Sequence, residues 1–191
     1  MDSFYNDKEL RELGLKKYGT NVKISRKASI YSPEKIEIGS NVRIDDFCIL
    51  SGKITLGNYI HIAAYAAFFG GTAGIELEDF AATSARTTVY AASDDYSGEY
   101  MANPLIADKY RNVQSEKVVL RKHALVGAGC IILPGAEIGE GASIGAMSLI
   151  NHDIEPWTIN VGIPAKKKKE RSKRLLELEN DFLWEQKDAK I

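Results

Sequence analysis

Taken in steps of six, the chain places an aliphatic residue at Leu120, Val126, Ile132, Ile138, Ile144 and Ile150. Glycine follows directly at Gly127, Gly139 and Gly145, and the fifth place of each unit is small, at Ala124, Cys130, Ala136, Ala142 and Ser148. A period of six fits neither the 3.6 of a helix nor the 2 of a strand, so it specifies a solenoid of stacked short units. Each unit is one short strand and a turn, and three units close one coil. The first residue of each unit then points into a shared apolar core with the small fifth residue beside it, and glycine fits where the chain turns a corner and a side chain would crowd the backbone. The other four places are expected to vary freely.

The repeat continues upstream less regularly, through Ile24, Ile30, Ile38, Ile44, Leu50, Leu56, Ile62, Phe68, Leu77, Thr83 and Val89. Two extra residues precede Ile38, three more fall in the Gly70 to Ile75 stretch, and a long break separates Asp94 from Lys117. Insertions in solenoids become loops, often on the binding face. The segment 95–116 is therefore the candidate functional loop. Asn6 followed by Glu9 is a capping-box pattern ahead of Leu10 and Leu13, which predicts a short N-terminal helix. Leu175, Leu178, Phe182 and Leu183 stand at helical spacing after a basic stretch. The plan that follows is a helical cap over 1–21, a β-helix over 22–167 and a C-terminal helix over 168–191.

The formal net charge of −1 over 191 residues gives no global case for nucleic-acid binding. No apolar run approaches the roughly 18 residues that span a bilayer. The start, Met1 to Asp7, lacks the basic and apolar regions of a secretory signal, which predicts a cytoplasmic protein. The two cysteines, Cys48 and Cys130, fall on fifth places and read as small core residues.

The units Val126-Gly127-Ala128-Gly129-Cys130-Ile131 and Ile138-Gly139-Glu140-Gly141-Ala142-Ser143, with the later Asp153-Ile154-Glu155-Pro156-Trp157 and Gly162-Ile163-Pro164-Ala165-Lys166, resemble the hexapeptide-repeat acyltransferases. The resemblance spans about residues 22 to 170 and lies nearest the galactoside- and maltose-type sugar O-acetyltransferases of surface-polysaccharide clusters. It implies an all-β fold, a left-handed parallel β-helix flanked by the two helices, assembled as a homotrimer with active sites between subunits. It implies acetyl-CoA as co-substrate and no metal. By that resemblance the pantetheine arm would lie along Gly127, Ala128, Gly145 and Ala146, and Lys166 and Lys167 would meet the CoA phosphates.

The family's histidine, a general base for a sugar hydroxyl, belongs at the end of the coil before the insertion, where this chain has Asp94. His123 and His152 read as surface residues. His61, one coil from the level of Asp94, is the remaining candidate base, with Asp94 of a neighbouring subunit orienting it. Asp94, Asp95 and Tyr96 open the loop with the carboxylates and aromatic ring that suit a sugar, and Arg86 and Tyr65 are placed in the same cleft.

The resulting expectation is an acetyl-CoA-dependent O-acetyltransferase acting on a sugar, nucleotide-sugar or glycan hydroxyl. One alternative is N-acetylation of a nucleotide-linked amino sugar, since a neutral amine needs little help from a base. A second is a non-catalytic scaffold, against which the Gly-Ile-Pro-Ala-Lys segment argues. Zinc chemistry of the carbonic-anhydrase type is set aside because the three histidines lie too far apart along the coils to converge.

Overall fold

The computed structural model describes residues 3–188. It is a left-handed parallel β-helix of about seven turns with a short helix at each end. Strands in successive coils pair in parallel, and the pairing register follows the six-residue step. Val89 aligns with Phe68 below and Ile132 above, and Leu120 aligns with Leu77 and Ile138. Each first-place residue thus sits over its equivalent one coil away, about 4.8 Å along the axis. The first-place side chains from Ile24 to Ile150 are almost all buried, and the fifth-place Cys48, Ala124, Cys130, Ala136 and Ala142 complete the interior.

One face of the prism stacks strands Val22–Ile24, Val42–Ile44, His61–Ile62, Ala82–Thr83, Leu125–Val126, Ser143–Ile144 and Thr158–Val161. A second face carries Thr88–Tyr90 and Ile131–Ile132, and a third carries Val118–Leu120 and Glu137–Ile138. The last coil continues past the readable repeat: Ile154 bridges Ile138, and Asn160 takes an interior place, its amide donating to Thr158 Oγ1 at 2.8 Å. The solenoid also starts earlier than residue 22, since Lys17–Tyr18 already pairs with Ile36–Ile38.

The fourth place of most units proves restricted. Asn41, Phe47, Tyr59, Tyr65, Phe80, Arg86, His123, Met147 and Trp157 all hold φ between 57° and 63° beside Gly129, Gly135 and Gly141 in the same region. This left-handed residue turns the corner. An L side chain adopts this region rarely, and several of the aromatic residues here stack on their equivalents one coil away. Tyr59 stacks on Phe80 at 4.8 Å and Phe80 on His123 at 5.1 Å, while Phe47 stacks on Tyr65 at 4.9 Å.

Helix α1 (Asp7–Glu12) has the expected capping box, the Asn6 side chain accepting from Lys8 and Glu9 N–H while Glu9 accepts from Asn6 N–H. Its Leu10 is buried against the first coil. The chain after the solenoid does not enter a helix at residue 168. Lys166–Glu170 forms an exposed strand antiparallel to Thr158–Val161, which gives the edge of the last coil a partner. Helix α2 (Leu175–Asp188) follows and returns to the Tyr59–Phe80–His123 corner, where Phe182 meets Tyr59 edge-on at 5.4 Å. No helix among the described residues is long and apolar enough to cross a membrane.

Candidate active site

The fourth coil holds Ala82–Thr83 and Thr88–Tyr90, with Ser84 at the corner before the second strand and Asp94 at the corner after it. Above Ser84 the same corner carries Gly127 and then Gly145. Ser84 N–H donates to Val126 C=O at 2.8 Å, Gly127 N–H to Ile144 C=O at 2.9 Å and Gly145 N–H to Asn160 C=O at 2.8 Å. A Cβ on Gly127 would come 2.6 Å from Ala146 N, and one on Gly145 would come 2.6 Å from Val161 Cγ1. The glycines are therefore required by the close approach of successive coils. They leave a narrow, side-chain-free corner on which Ala128 and Ala146 are exposed. Ser84 brings the one hydroxyl to that track, and its oxygen has no hydrogen-bond partner among the described residues.

At the other corner the insertion leaves and returns through a two-residue antiparallel clasp, Ala92–Ser93 against Gln114–Ser115. Asp94 is the first residue beyond the clasp. Its partner is Arg111 on the returning limb, Nη2 to Oδ1 at 3.8 Å, a distance that leaves the carboxylate free to accept from a ligand. Arg111 is only 16% exposed, and its buried Nε has no partner. A cavity of about 320 Å³ opens beside Asp94, lined by Tyr90, Ala92, Ser93, Asp94, Tyr96 and Leu133. That volume suits one sugar ring and falls at the lower end of ligand pockets.

Other predicted residues have been given different work. Asp95 anchors the loop: its carboxylate accepts from Ser97 N–H and Oγ and from Asn112, and the Ser97 contacts hold it below its ordinary pKa. Tyr96 stands almost wholly in solvent at the mouth of the cavity. His61 does not meet Asp94 within the chain. Its Nε2 pairs with Asp45 Oδ2 at 2.8 Å on the first face. Burial would raise the Asp45 pKa, but hydrogen bonds from His61 and Arg43 outweigh it and hold the carboxyl low. Arg86 lies over Tyr65 at 5.9 Å, at the corner below Gly129 rather than in the Asp94 cavity.

Lys167 is committed to Glu155 at 2.9 Å and Glu170 at 2.7 Å, and its pKa is raised by those two carboxylates. Lys166 carries no ion pair among the described residues. Arg171 donates to the carbonyls of His123 and Gly141 at 3.1 and 2.8 Å, and desolvation lowers its pKa. It ties the chain between strand and helix to the solenoid. His123 pairs with Glu179 of α2 at 2.8 Å, so it is a docking residue and not a free surface histidine. His152 is exposed, with Nδ1 3.0 Å from Asn151 Oδ1. Among the described residues no cluster of three or more His, Cys, Asp or Glu side chains is placed to hold a metal.

Arg111 and Ser84 escaped sequence reasoning. Arg111 sits in a loop without periodicity, so nothing ties it to Asp94 before the clasp closes. Ser84 carried a faint signal, a hydroxyl at a corner that holds glycine in the two coils above.

Residues 117–152 match the model of the bacterial transferase hexapeptide (six repeats) family. The dTDP-4-amino-4,6-dideoxy-D-glucose acyltransferase of Escherichia coli is 46% identical over 183 residues, 94% of this chain and 95% of its own. Among solved structures, AntD, an N-acyltransferase from Bacillus cereus in complex with dTDP and 3-hydroxybutyryl-CoA, superposes with a TM-score of 0.96 at 53% identity, covering 98% of this chain and all (100%) of its own. AntD with a serine numbered 84 replaced by cysteine has been solved with dTDP-4-amino-4,6-dideoxyglucose and coenzyme A. AntD with an aspartate numbered 94 replaced by alanine has been solved with dTDP and coenzyme A. These likenesses overturn the expectation of O-acetylation. The relatives that share nearly the whole chain are acyltransferases of a nucleotide-linked amino sugar, so the nitrogen acceptor set second on sequence grounds is the better reading. The scaffold alternative falls with it.

Proposed function

Because the chain belongs to the hexapeptide-repeat acyltransferases, we propose that it transfers an acyl group from an acyl-CoA, acetyl-CoA among them, to the 4-amino group of a dTDP-linked 4-amino-4,6-dideoxyhexose. The observation that carries this reading is the aspartate at the mouth of the insertion loop. Asp94 and its cavity offer an acceptor for N–H donors, with no histidine beside it to deprotonate a hydroxyl. An amine is the acceptor that such a site serves, because its neutral form is already nucleophilic. Support comes from the 53% identity to a protein solved with dTDP and an acyl-CoA, and from the serine and aspartate that this chain also has at positions 84 and 94.

In the proposed reaction the acyl-CoA supplies an activated thioester. The Asp94 carboxylate, braced by Arg111, accepts from the sugar N–H and aims the nitrogen lone pair at the carbonyl carbon. As the C–N bond forms, the Ser84 hydroxyl donates to the developing oxyanion. The C–S bond then breaks, giving the amide and the CoA thiol, with one amine proton transferred in balance to sulfur. Lys166, free of carboxylates, is the cation assigned to the CoA phosphates, and the Gly127–Ala128 and Gly145–Ala146 corners are assigned to the pantetheine arm.

Ser84 and Asp94 lie at opposite corners of the face that carries Thr88–Tyr90. At about 3.3 Å per residue, the face between them is roughly 15–20 Å wide. One chain cannot bring both to one carbonyl, which supports a homotrimer in which Ser84 of one protomer faces Asp94 of the next. The test is release of CoA thiol by the purified protein with dTDP-4-amino-4,6-dideoxyglucose, against the same nucleotide sugar bearing a 4-hydroxyl. Turnover confined to the amine supports the reading; comparable turnover of the hydroxyl sugar, or none with the amine, removes it.

A further inference from the structure

The second place of each unit points outward just past a corner. At the corner before the second face these residues are Asp45, Ala63, Ser84, Gly127, Gly145 and Val161, and at the corner after the third face Gly39, Gly57, Glu78, Arg121, Gly139 and Glu155. At the Asp94 corner the same place reads Tyr31, Ser51, Phe69, Tyr90, Leu133 and Asn151. Large apolar residues occupy it in three successive coils, the coil of Asp94 and the one on either side, and in no other run of coils. Phe69 and Tyr90 stack at 5.3 Å with planes 13° apart. Phe69 therefore covers one face of the Tyr90 ring. Leu133 holds the same place one coil up, and it and Tyr90 both line the cavity that also holds Asp94.

An outward apolar ladder beside a carboxylate needs an apolar group in the ligand to justify its exposure. Resting on the acceptor proposed above, the chemistry supplies one: the amine is on C4, and the C6 methyl is carried on the neighbouring ring carbon. We propose that Leu133 and Tyr90 form a methyl subsite that selects 6-deoxy amino sugars over those with a 6-hydroxymethyl group. When Asp94 accepts from the amine, the methyl lies between the Tyr90 ring and the Leu133 side chain. A 6-hydroxyl placed against the Tyr90 ring face and the Leu133 side chain would give up water for apolar carbon; of the polar groups that line the same cavity, the Asp94 carboxylate is taken by the amine and Ser93 Oγ donates to the Asp94 carbonyl. Leu133 and Tyr90 are specificity residues and take no part in bond making.

The experiment compares kcat/KM for dTDP-4-amino-4,6-dideoxyglucose and dTDP-4-amino-4-deoxyglucose in the wild type, Leu133→Ser, Leu133→Met and Tyr90→Phe, with acetyl-CoA and butyryl-CoA as donors. An apolar pocket rejects an added hydroxyl by at most about 10²-fold, so the wild type should favour the 6-deoxy sugar by roughly 10- to 100-fold. Leu133→Ser should bring that ratio to within a few-fold, while Leu133→Met and Tyr90→Phe, which keep the apolar walls, should preserve it. Equal use of the two sugars by the wild type overturns the subsite. So does a Leu133→Ser enzyme that keeps the acceptor ratio but changes its ranking of the two donors, since the ladder would then hold the acyl chain. If neither amino sugar is acylated by any form, the acceptor reading itself has failed and the subsite goes with it.

Discussion

Asp94 stands where a sugar hydroxyl would require a base, and its surroundings fit a different task. Arg111 approaches one oxygen at 3.8 Å, too far for a hydrogen bond, so the carboxylate is oriented without being used up. Replacing it with alanine should lower kcat/KM for the amino sugar by about 10²–10³-fold, the cost of losing a positioned group at a reacting atom. Arg111→Ala should fall less far, with its loss mainly in KM as the loop loosens. His61→Ala should stay within a few-fold of wild type, because the imidazole is engaged by Asp45 on another face; a loss of several orders of magnitude in a thiol-release assay would restore it as a base. The sequence disclosed the corner, the missing histidine and Asp94. It did not disclose the acceptor, because whether a carboxylate serves an amine or a hydroxyl depends on what lies within a few ångströms, and Arg111 and Leu133 reach Asp94 from 17 and 39 positions away.

Helix α2 is held by an element that periodicity showed only in part. Leu175, Leu178 and Phe182 were legible as an apolar stripe, whereas the surface receiving them was not. The stack of Tyr59, Phe80 and His123 has each residue in a left-handed fourth place, a backbone state that tyrosine and phenylalanine do not announce as glycine or asparagine does. The strand Lys166–Glu170 was missed for a similar reason, since five charged residues carry no apolar alternation. Glu179 locks the contact, accepting from His123 at 2.8 Å and pairing with Lys122 at 2.7 Å while only 10% exposed. Burial pushes its pKa up, but the contacts from Lys122 and His123 prevail and the carboxyl is held below its ordinary value. A depressed folded-state pKa contributes stability that is full above the unfolded value near 4.3 and is lost as pH falls through the lower, folded one. Docking of α2 should therefore persist at neutral and mildly acidic pH and loosen below about pH 4, as hydrogen exchange of the α2 amides would register. Glu179→Ala should cost about 1–3 kcal/mol at pH 7 by leaving two donors unpaired, and should abolish that acid-side change. Unfolding midpoints in urea, compared with Glu179→Gln, would separate the charge from the hydrogen bonds.

On the scale of the molecule, the six-residue step determines more than the core. It fixes three corners per coil and stacks every corner on its equivalent, so residues far apart in the chain fall into columns. Ser84, Gly127 and Gly145 form one column, and Phe69, Tyr90 and Leu133 form another beside Asp94. The columns run along different edges of the prism, separated by the face that carries Thr88–Tyr90 and Ile131–Ile132, and the strand-to-strand pairing of successive coils holds that face rigid between them. On the proposed reading, the site is assembled between copies, each supplying a different edge. The consequence can be measured with two chains, each disabled at one edge: Asp94→Ala, and Ser84→Tyr, whose ring would block the glycine corner. Each alone should be nearly inactive. In a closed cyclic assembly of randomly mixed chains, about one interface in four pairs the intact Asp94 edge of one variant with the intact Ser84 edge of the other. Co-refolding equal amounts should thus recover about a quarter of wild-type activity per site, while mixing the folded proteins without exchange should recover none. If both residues served the same site from one chain, every chain in the mixture would carry a defect at its own site, and refolding together would restore nothing.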